Sequence, residues 1–148
     1  MELTYANIEA FMKKYFEYYN KYSQDEATID KMDEFWGPEF QSTAYFYRSN
    51  GKWPLMHATG REFRDMICSA HKEMGELLNP VDMFIDERKK QVGVLLRIEK
   101  KLLKTGEKAS FTAIALYKVM LTAKGTMSLR SLDICVDNPE GLTGMWKY

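Results

Sequence analysis

Tyr117, Arg130 and Asp133 are the residues whose types and spacing could build a reactive site. They fall on two consecutive predicted strands, and the turn between these strands decides which of them share a face. A two-residue loop at 124–125 places Arg130 on the face of Tyr117, which suits an anionic or carbonyl ligand. A three-residue loop at 123–125 places Asp133 there instead, which suits general acid–base chemistry. The first loop buries more hydrocarbon and is favoured, but both arrangements stay open.

The other residue types that carry chemistry have no spacing that completes a site. His57 and His71 are the only histidines, and neither has a carboxylate or cysteine at a metal-ligand spacing. No serine has a neighbouring base, and no glycine-rich loop could hold a phosphate. Cys68 and Cys135 do not form a disulfide framework. The sequence therefore predicts no metal and no cofactor.

The charge balance of the chain excludes some partners. Its 148 residues include 21 Lys plus Arg and 21 Asp plus Glu, so no excess positive charge favours nucleic acid or an anionic membrane. No apolar run has the length of a membrane span, and the N-terminus lacks a signal-peptide pattern. We expect a cytoplasmic protein with one domain over residues 1–148, in which residues 142–148 form a C-terminal tail.

Four segments rich in β-branched and aromatic residues dominate the second half of the chain. They are Val81–Asp86, Gln91–Leu103, Lys108–Leu121 and Met127–Val136. Tight turns between them predict an antiparallel meander. In this meander Ile85 pairs with Val92, and Val94 pairs with Tyr117.

Alternation along these strands separates an inner from an outer face of the sheet. The outer face mixes charges with the apolar residues Leu95, Ile114 and Leu116, a composition typical of a protein interface. It therefore predicts a homodimer through the outer sheet face. Charged runs such as 99–101 are interpreted as keeping strand edges soluble. The inner face is almost entirely apolar and is the predicted core: Val81, Met83, Ile85, Val92, Val94, Leu96, Ile98, Phe111, Ala113, Ala115 and Tyr117.

About three helices are predicted in the first half of the chain. Thr4 caps a first helix that runs to Tyr22, and a short second helix ends after Trp36. Thr59 and Glu62 have the spacing of a capping box for a third helix, with Gly75 as its stop. Helices packed on the concave face of a curved antiparallel sheet give an α+β cone.

A hairpin is predicted between the second and third helices. Asn50-Gly51 lies between two strand-like runs, and both residues accept the positive φ that a tight turn requires. Pro54 makes the second run an edge strand or a loop, because proline cannot donate a hydrogen bond to a neighbouring strand.

At this point the chain resembles the nuclear-transport-factor-2-like superfamily, in particular its SnoaL-like and ketosteroid-isomerase-like members. The resemblance is carried by Lys14–Asn20, Glu34–Phe40 and His57–Phe63, within an element order that matches over about residues 5–137. It implies a pocket between sheet and helices for a small hydrophobic or carbonyl-containing ligand. Because the fold hosts enzymes and non-catalytic modules alike, it does not select a reaction.

The resemblance also implies candidate site residues. Tyr15 resembles the oxyanion-hole tyrosine of ketosteroid isomerases, and His57 falls in the loop that rims the cavity of similar folds. The general-base position of those isomerases reads Thr43-Ala44-Tyr45 here, whereas Asp133 is the candidate for the aspartate of SnoaL-like cyclases. The ligand-binding candidates are Tyr15, Trp36, Tyr45, His57, Tyr117 and Arg130, and the catalytic candidates are Tyr15, Asp133 and His57.

Two functions stay open from the sequence. The first is a cofactor-independent isomerase, cyclase, dehydratase or hydrolase that acts on a small hydrophobic substrate. The second is a non-catalytic ligand-binding or dimerisation module. A carboxylate or histidine inside the cavity distinguishes them, because the first function needs a group that exchanges protons there.

Overall fold

The computed structural model describes residues 1–47 and 55–137. The predicted turn at Asn50-Gly51, the proline at position 54 and the tail at 142–148 lie outside the described residues. Within them, none of the helices is long and apolar enough to cross a membrane. The elements are α1 (Tyr5–Tyr22), a single turn of 3-10 helix (Ile29–Met32), β1 (Gln41–Tyr47), β2 (Leu55–Thr59), α2 (Gly60–His71), β3 (Met74–Asp86), β4 (Gln91–Leu102), β5 (Lys108–Leu121) and β6 (Met127–Asp137).

The six strands form one curved sheet in the order β2-β1-β6-β5-β4-β3. Strands β3 to β6 form the predicted antiparallel meander, and β1 and β2 pair as antiparallel neighbours. The sheet is mixed rather than antiparallel, because β1 runs parallel to β6. This pairing joins the first hairpin to the last strand, so that one continuous inner face receives the helices. The α+β cone is therefore confirmed, and its purely antiparallel sheet is corrected.

Helix α1 has the predicted boundaries. The hydroxyl of Thr4 accepts a hydrogen bond from the backbone N–H of Asn7 at 3.3 Å, which satisfies one of the free donors of the first turn. The side chains of Ile8, Met12 and Tyr15 recur at helical spacing and are buried. This face brings the aromatic residues of α1 onto the sheet.

The predicted second and third helices require correction. The second is only one 3-10 turn, so the described residues contain two α-helices rather than about three. A segment this short gains too few hydrogen bonds to propagate an α-helix. Helix α2 ends at His71 rather than near Gly75, and the Thr59 side chain makes no capping hydrogen bond. The helix ends early because the chain turns into β3 at Met74.

Strand β3 begins seven residues before the predicted start at Val81, and it is bulged. Pro80 pairs with Leu96 and Asp82 with Leu95, so that Val81 is the extra residue and is 65% exposed. Proline cannot donate to the ladder, which favours a bulge at this point. Val81 is therefore not part of the core, although the predicted Ile85–Val92 pair beyond the bulge is confirmed.

The β4–β5 register differs from the prediction by two residues. Val94 pairs with Ala115 instead of Tyr117, because the loop between these strands is longer than two residues. A shift of two keeps every side chain on its predicted face. Eight predicted core residues are accordingly buried: Val92, Val94, Leu96, Ile98, Phe111, Ala113, Ala115 and Tyr117.

The last strand combines the two predicted registers. Tyr117 pairs with Leu132, as the two-residue loop requires, but the register then shifts so that Val119 pairs with Leu129. Arg130 is the extra residue of this bulge and is exposed. The backbone N–H of Leu129 donates to the carbonyl of Phe35 at 3.1 Å, which fixes Leu129 toward the core. The predicted burial of Arg130 on the inner face is therefore wrong.

Gly60 gives a first prediction, since α2 begins where the chain crosses the backbone of Gly37. A Cβ at Gly60 would overlap the Gly37 carbonyl oxygen. We expect Gly60→Ala to lower the free energy of unfolding by ~1–3 kcal/mol in urea denaturation, because the two backbones must separate. The matched control is Gly93→Ala, whose Cβ would lie 4.0 Å from Phe84. Equal effects of the two substitutions would contradict a role for this crossing.

Candidate functional site

A cavity of about 80 Å³ lies between the helices and the inner face of the sheet. Its walls are largely apolar, and the thioether side chains of Met56 and Met66 can adapt to the shape of a ligand. The volume is below the ~300–1,000 Å³ of drug-sized pockets, so the space suits a ligand of a few heavy atoms. The polar residues that line it are Tyr15, Tyr19, Ser42, Glu76, Lys100 and Tyr117.

Tyr15 and Tyr117 form a hydrogen-bonded pair of buried phenols. Their rings meet edge to face with centroids 5.6 Å apart, and their hydroxyls hydrogen-bond to each other. The indole N–H of Trp36 donates to the Tyr15 hydroxyl at 3.4 Å. Burial raises the pKa of both phenols, so both stay neutral. One of the two hydroxyl hydrogens is used between them, and the other is available to a ligand oxygen.

Glu76 is the centre of a buried charged cluster that also includes Tyr19, His71 and Lys100. Its Oε2 lies 3.2 Å from the Lys100 ammonium, and its Oε1 accepts a hydrogen bond from the Tyr19 hydroxyl. The Nε2 atom of His71 lies 3.4 Å from the same Oε1. All four side chains are buried. A carboxylate can be buried in this way because its partners replace the hydrogen bonds that water would supply.

The partners of Glu76 determine its protonation state. Burial alone would raise the pKa of this carboxyl group, but the charge of Lys100 and the hydrogen bonds from His71 and Tyr19 lower the pKa to about 2. Burial lowers the pKa of Lys100, while the carboxylate opposes that effect. Glu76 is therefore a carboxylate at neutral pH, and Lys100 is its counter-ion.

His71 orients this cluster from the end of α2. Its Nδ1 lies 2.7 Å from the backbone carbonyl of Ser23, which can only accept, so Nδ1 carries a hydrogen. Its Nε2 faces the Glu76 carboxylate, which also accepts. His71 therefore connects the Ser23 carbonyl, just after α1, with the Glu76 carboxylate on β3.

Three of the predicted site residues lie at the cavity, and four do not. Tyr15 and Tyr117 line it, and Trp36 lies behind Tyr15. The other four are exposed on the sheet: Tyr45, His57, Arg130 and Asp133.

Strand alternation explains why these four residues face outward. In β1 and β2 the neighbours Ala44 and Met56 line the cavity, which turns Tyr45 and His57 to the opposite face. His57 Nδ1 lies 3.1 Å from the Thr43 hydroxyl on that outer face. Asp133 pairs with Thr43 in the ladder and is exposed there as well. Neither sequence-predicted acid–base residue, His57 or Asp133, therefore lies in the cavity.

Tyr19, Ser42, Glu76 and Lys100 are the polar cavity residues that the sequence does not predict. The run 99–101 was interpreted as a soluble edge, yet Lys100 is only 5% exposed. The signal was the alternation of β4, in which Val94, Leu96 and Ile98 lead to an inward-facing position 100. Position 76 lies before the predicted start of β3, so the strand pattern assigns Glu76 to neither face of the sheet.

The described part of the chain contains no group of three His, Cys, Asp or Glu side chains that could hold a metal ion. The charged cluster has one carboxylate and one imidazole, with the Lys100 ammonium in the position where a cation would bind. This donor set favours an internal ion pair rather than a metal centre.

Solved structures with the same fold include proteins named as a pinacolase, as ketosteroid isomerase-like and as a candidate polyketide cyclase. The chain is similar to BvnE pinacolase from Penicillium brevicompactum, with 14% identity, a TM-score of 0.66, and coverage of 90% of this chain and 84% of that chain. A ketosteroid isomerase-like protein from Erwinia carotovora atroseptica SCRI1043 matches with 15% identity, a TM-score of 0.60, and coverage of 90% and 96%. A candidate SnoaL-like polyketide cyclase from Jannaschia sp. CCS1 matches with 12% identity, a TM-score of 0.61, and coverage of 93% and 89%. No protein-family model and no curated protein matches the sequence.

These likenesses define the class of fold. The chain has the α+β cone of SnoaL-like and ketosteroid-isomerase-like proteins, as the sequence resemblance predicted. Identities of 12–15% carry the fold and not the reaction. The function must therefore be argued from the cavity itself.

Proposed function

We propose that the cavity binds a small, mostly apolar molecule with one oxygen acceptor, such as a ketone or an aldehyde. The observation that supports this most directly is the Tyr15–Tyr117 pair, which holds one available O–H inside a largely apolar wall. A carbonyl oxygen can accept that hydrogen while the hydrocarbon part of the ligand packs against residues such as Ile98 and Leu132.

We further propose that the site is catalytic and needs no cofactor. Glu76 lines the cavity together with the phenol pair, so a carboxylate and a hydroxyl donor face the same bound molecule. Neutral donors near a developing oxyanion lower its energy most effectively when water is excluded. Structures named as a pinacolase and as an isomerase-like protein share the fold, which supports rearrangement or isomerisation of a small carbonyl compound.

A non-catalytic binding module is the second candidate, and one observation favours it. Glu76 is hydrogen-bonded or ion-paired by Tyr19, His71 and Lys100, and its pKa is lowered to about 2. A carboxylate of such low basicity abstracts protons from carbon poorly. Incubation with butanone in D₂O separates the two functions, since an enzyme of the first type accelerates exchange at the carbon next to the carbonyl and a binding module does not.

The binding proposal predicts an effect of Tyr117→Phe on ligand affinity. The substitution removes one phenolic hydroxyl and keeps the ring, so we expect butanone to bind roughly three- to tenfold more weakly because one neutral hydrogen bond is lost. Titration followed by NMR measures the dissociation constant. Tyr5→Phe is the control, since Tyr5 is 48% exposed at the start of α1. An unchanged affinity in both Tyr117→Phe and Tyr15→Phe would exclude the phenol pair as the ligand donor.

We also propose that the chain is a cytoplasmic homodimer. Its free cysteines, Cys68 and Cys135, fit a reducing compartment. The outer face carries Phe84, Ile114 and Leu116, which are 66%, 65% and 39% exposed. Leu95 pairs with Ile114 and joins them in one patch. A patch of this kind is covered most simply by the same patch of a second copy.

The dimer proposal predicts monomers for Ile114→Asp. A carboxylate placed in the centre of the interface is expected to cost about 2 kcal/mol or more of association free energy, a roughly thirtyfold weaker dimer. Sedimentation velocity at micromolar concentration measures the shift. Leu103→Asp is the control, because Leu103 is 57% exposed in the loop after β4 and lies away from the patch. A wild-type protein that sediments as a monomer would overturn the proposal.

A further inference from the structure

The position of Lys100 gives the ligand site a reactive group. We propose that Lys100 forms a protonated imine with a small aldehyde or ketone bound in the cavity, with Glu76 as the counter-ion of that imine. This inference rests on the proposed function, because the carbonyl compound must first occupy the cavity. It goes further by naming the atom that becomes covalently attached, the Nζ atom of Lys100.

Lys100 is placed where a nucleophilic amine is needed. Its side chain is 4% exposed and lines the same cavity as the Tyr15–Tyr117 pair. The ammonium lies 5.6 Å from the centroid of the Phe111 ring and 3.2 Å from the Glu76 carboxylate, so an aromatic face and one counter-ion lie next to it. Desolvation lowers the pKa of Lys100, which increases the fraction of neutral amine that can attack a carbonyl.

The phenol pair complements this amine. A hydroxyl hydrogen from Tyr15 or Tyr117 that reaches the ligand oxygen polarises the carbonyl group. The carbon then becomes more electrophilic within the cavity that Lys100 lines. The donor and the nucleophile come from different strands, since Lys100 lies at the end of β4 and Tyr117 in the middle of β5.

The reaction balances without an additional reactant. The neutral amine nitrogen bonds to the carbonyl carbon while the C=O π pair moves to the oxygen, which takes a proton released by that nitrogen. The hydroxyl then leaves as water with the proton that the Lys100 ammonium gave up on becoming the neutral amine, and one N–H remains on the positively charged imine. Lys100 carries one positive charge before and after the reaction, so the ion pair with Glu76, 3.2 Å away, is retained. A low-pKa carboxylate suits this role, because it stays ionised beside the cation.

The Glu76–Lys100 ion pair also lies on a route by which the carbonyl compound can reach the cavity. Glu76 and Lys100 line both the cavity and a larger groove of about 700 Å³, which Gln24 and the ends of β3, β4 and β5 complete. The two residues therefore lie between the groove and the cavity. A small aldehyde can approach the amine from the groove and place its alkyl group in the cavity.

Reductive trapping of the wild-type protein tests the imine. The folded full-length chain is incubated with butanal and sodium cyanoborohydride at neutral pH, and tryptic mass spectrometry locates the butyl groups over time. Lys101 and Lys108 line the groove beside Lys100 and are exposed, which makes them internal references for ordinary surface amines. We expect Lys100 to be labelled first, at a rate that saturates with butanal concentration, whereas labelling of the two references rises in proportion to it.

Competition distinguishes a bound aldehyde from random encounter. Butanol fills the cavity without forming an imine, so it should suppress labelling of Lys100 and leave Lys101 unaffected. Labelling of Lys101 and Lys108 with none at Lys100 overturns the imine. If butanone still shifts the NMR signals of cavity residues in that case, the binding function stands and only the covalent step fails. If butanone does not shift those signals, both the binding function and the covalent step are excluded.

Discussion

Replacing Glu76 by glutamine is expected to lower the free energy of unfolding by ~3–5 kcal/mol, the largest effect of a single substitution in this site. The amide keeps the shape of the side chain but removes the negative charge between Lys100 and His71. Lys100 Nζ lies 3.2 Å from the lost carboxylate and is almost fully buried. An ammonium without its counter-ion in such surroundings is costly. Urea unfolding followed by circular dichroism measures the difference.

Two controls separate the buried charge from side-chain packing. Glu99→Gln changes the neighbouring residue of the same strand, which is exposed on the outer face, and should alter stability by no more than ~0.5 kcal/mol. The double variant Glu76→Leu with Lys100→Met removes both charges and should recover most of the loss, because a buried ion pair can be replaced by hydrocarbon at little cost. A double variant as unstable as Glu76→Gln would show that shape, not charge, dominates.

A loss of stability in acid is the second large effect. The pKa of Glu76 is lowered from 4.5 to about 2 in the folded protein. The folded state then binds fewer protons than the unfolded state between these values, so protonation favours unfolding. The contribution of Glu76, ~3 kcal/mol for a shift of this size, is fully present above about pH 5 and is lost as the pH falls toward 2. Thermal unfolding at a series of pH values measures this slope.

The slope must be assigned to Glu76 by comparison, since other carboxylates titrate in the same range. The double variant Glu76→Leu with Lys100→Met lacks the group and serves as the reference. Between pH 5 and pH 2, we expect the stability of the wild type to fall more steeply with pH than that of this variant. Above pH 5, the two slopes should be equal. Parallel curves would mean that the pKa of Glu76 is not lowered in the folded protein.

These effects concern the same residues as the proposed chemistry. Glu76 contributes to stability through Lys100, and a carbonyl ligand would reach that amine within the same cavity. The cluster therefore couples ligand chemistry to folding: a substitution that frees the amine from its counter-ion also weakens the fold. Measurements of ligand binding should accordingly use Tyr117→Phe, which leaves the ion pair intact, rather than substitutions of Glu76.

Local sequence patterns are sufficient to predict the two faces of the sheet. Alternation in β4 and β5 identified the inner residues from Val92 to Ile98 and from Phe111 to Tyr117, and all of them are buried. This result survived an error of two residues in the β4–β5 register, because side chains alternate with a period of two. The capped first helix and the place of Tyr15 on its buried face were also predictable from local spacing.

The polar groups that enter the cavity depend on contacts between distant parts of the chain. Tyr19 and Glu76 are 57 residues apart in the chain and meet through the packing of α1 on β3, which no local pattern records. The Ser128 hydroxyl and the Leu129 backbone N–H both donate to the carbonyl of Phe35, and this contact forces a bulge into β6. Arg130 is the extra residue of that bulge and therefore does not lie on the inner face. The alternation of side chains along a strand predicts which face each residue occupies when the strand pairing is regular. The position of a bulge or of a buried ion pair depends on contacts between distant segments. For this reason the charged residues of the cavity are Glu76 and Lys100 instead of the predicted Arg130 or Asp133.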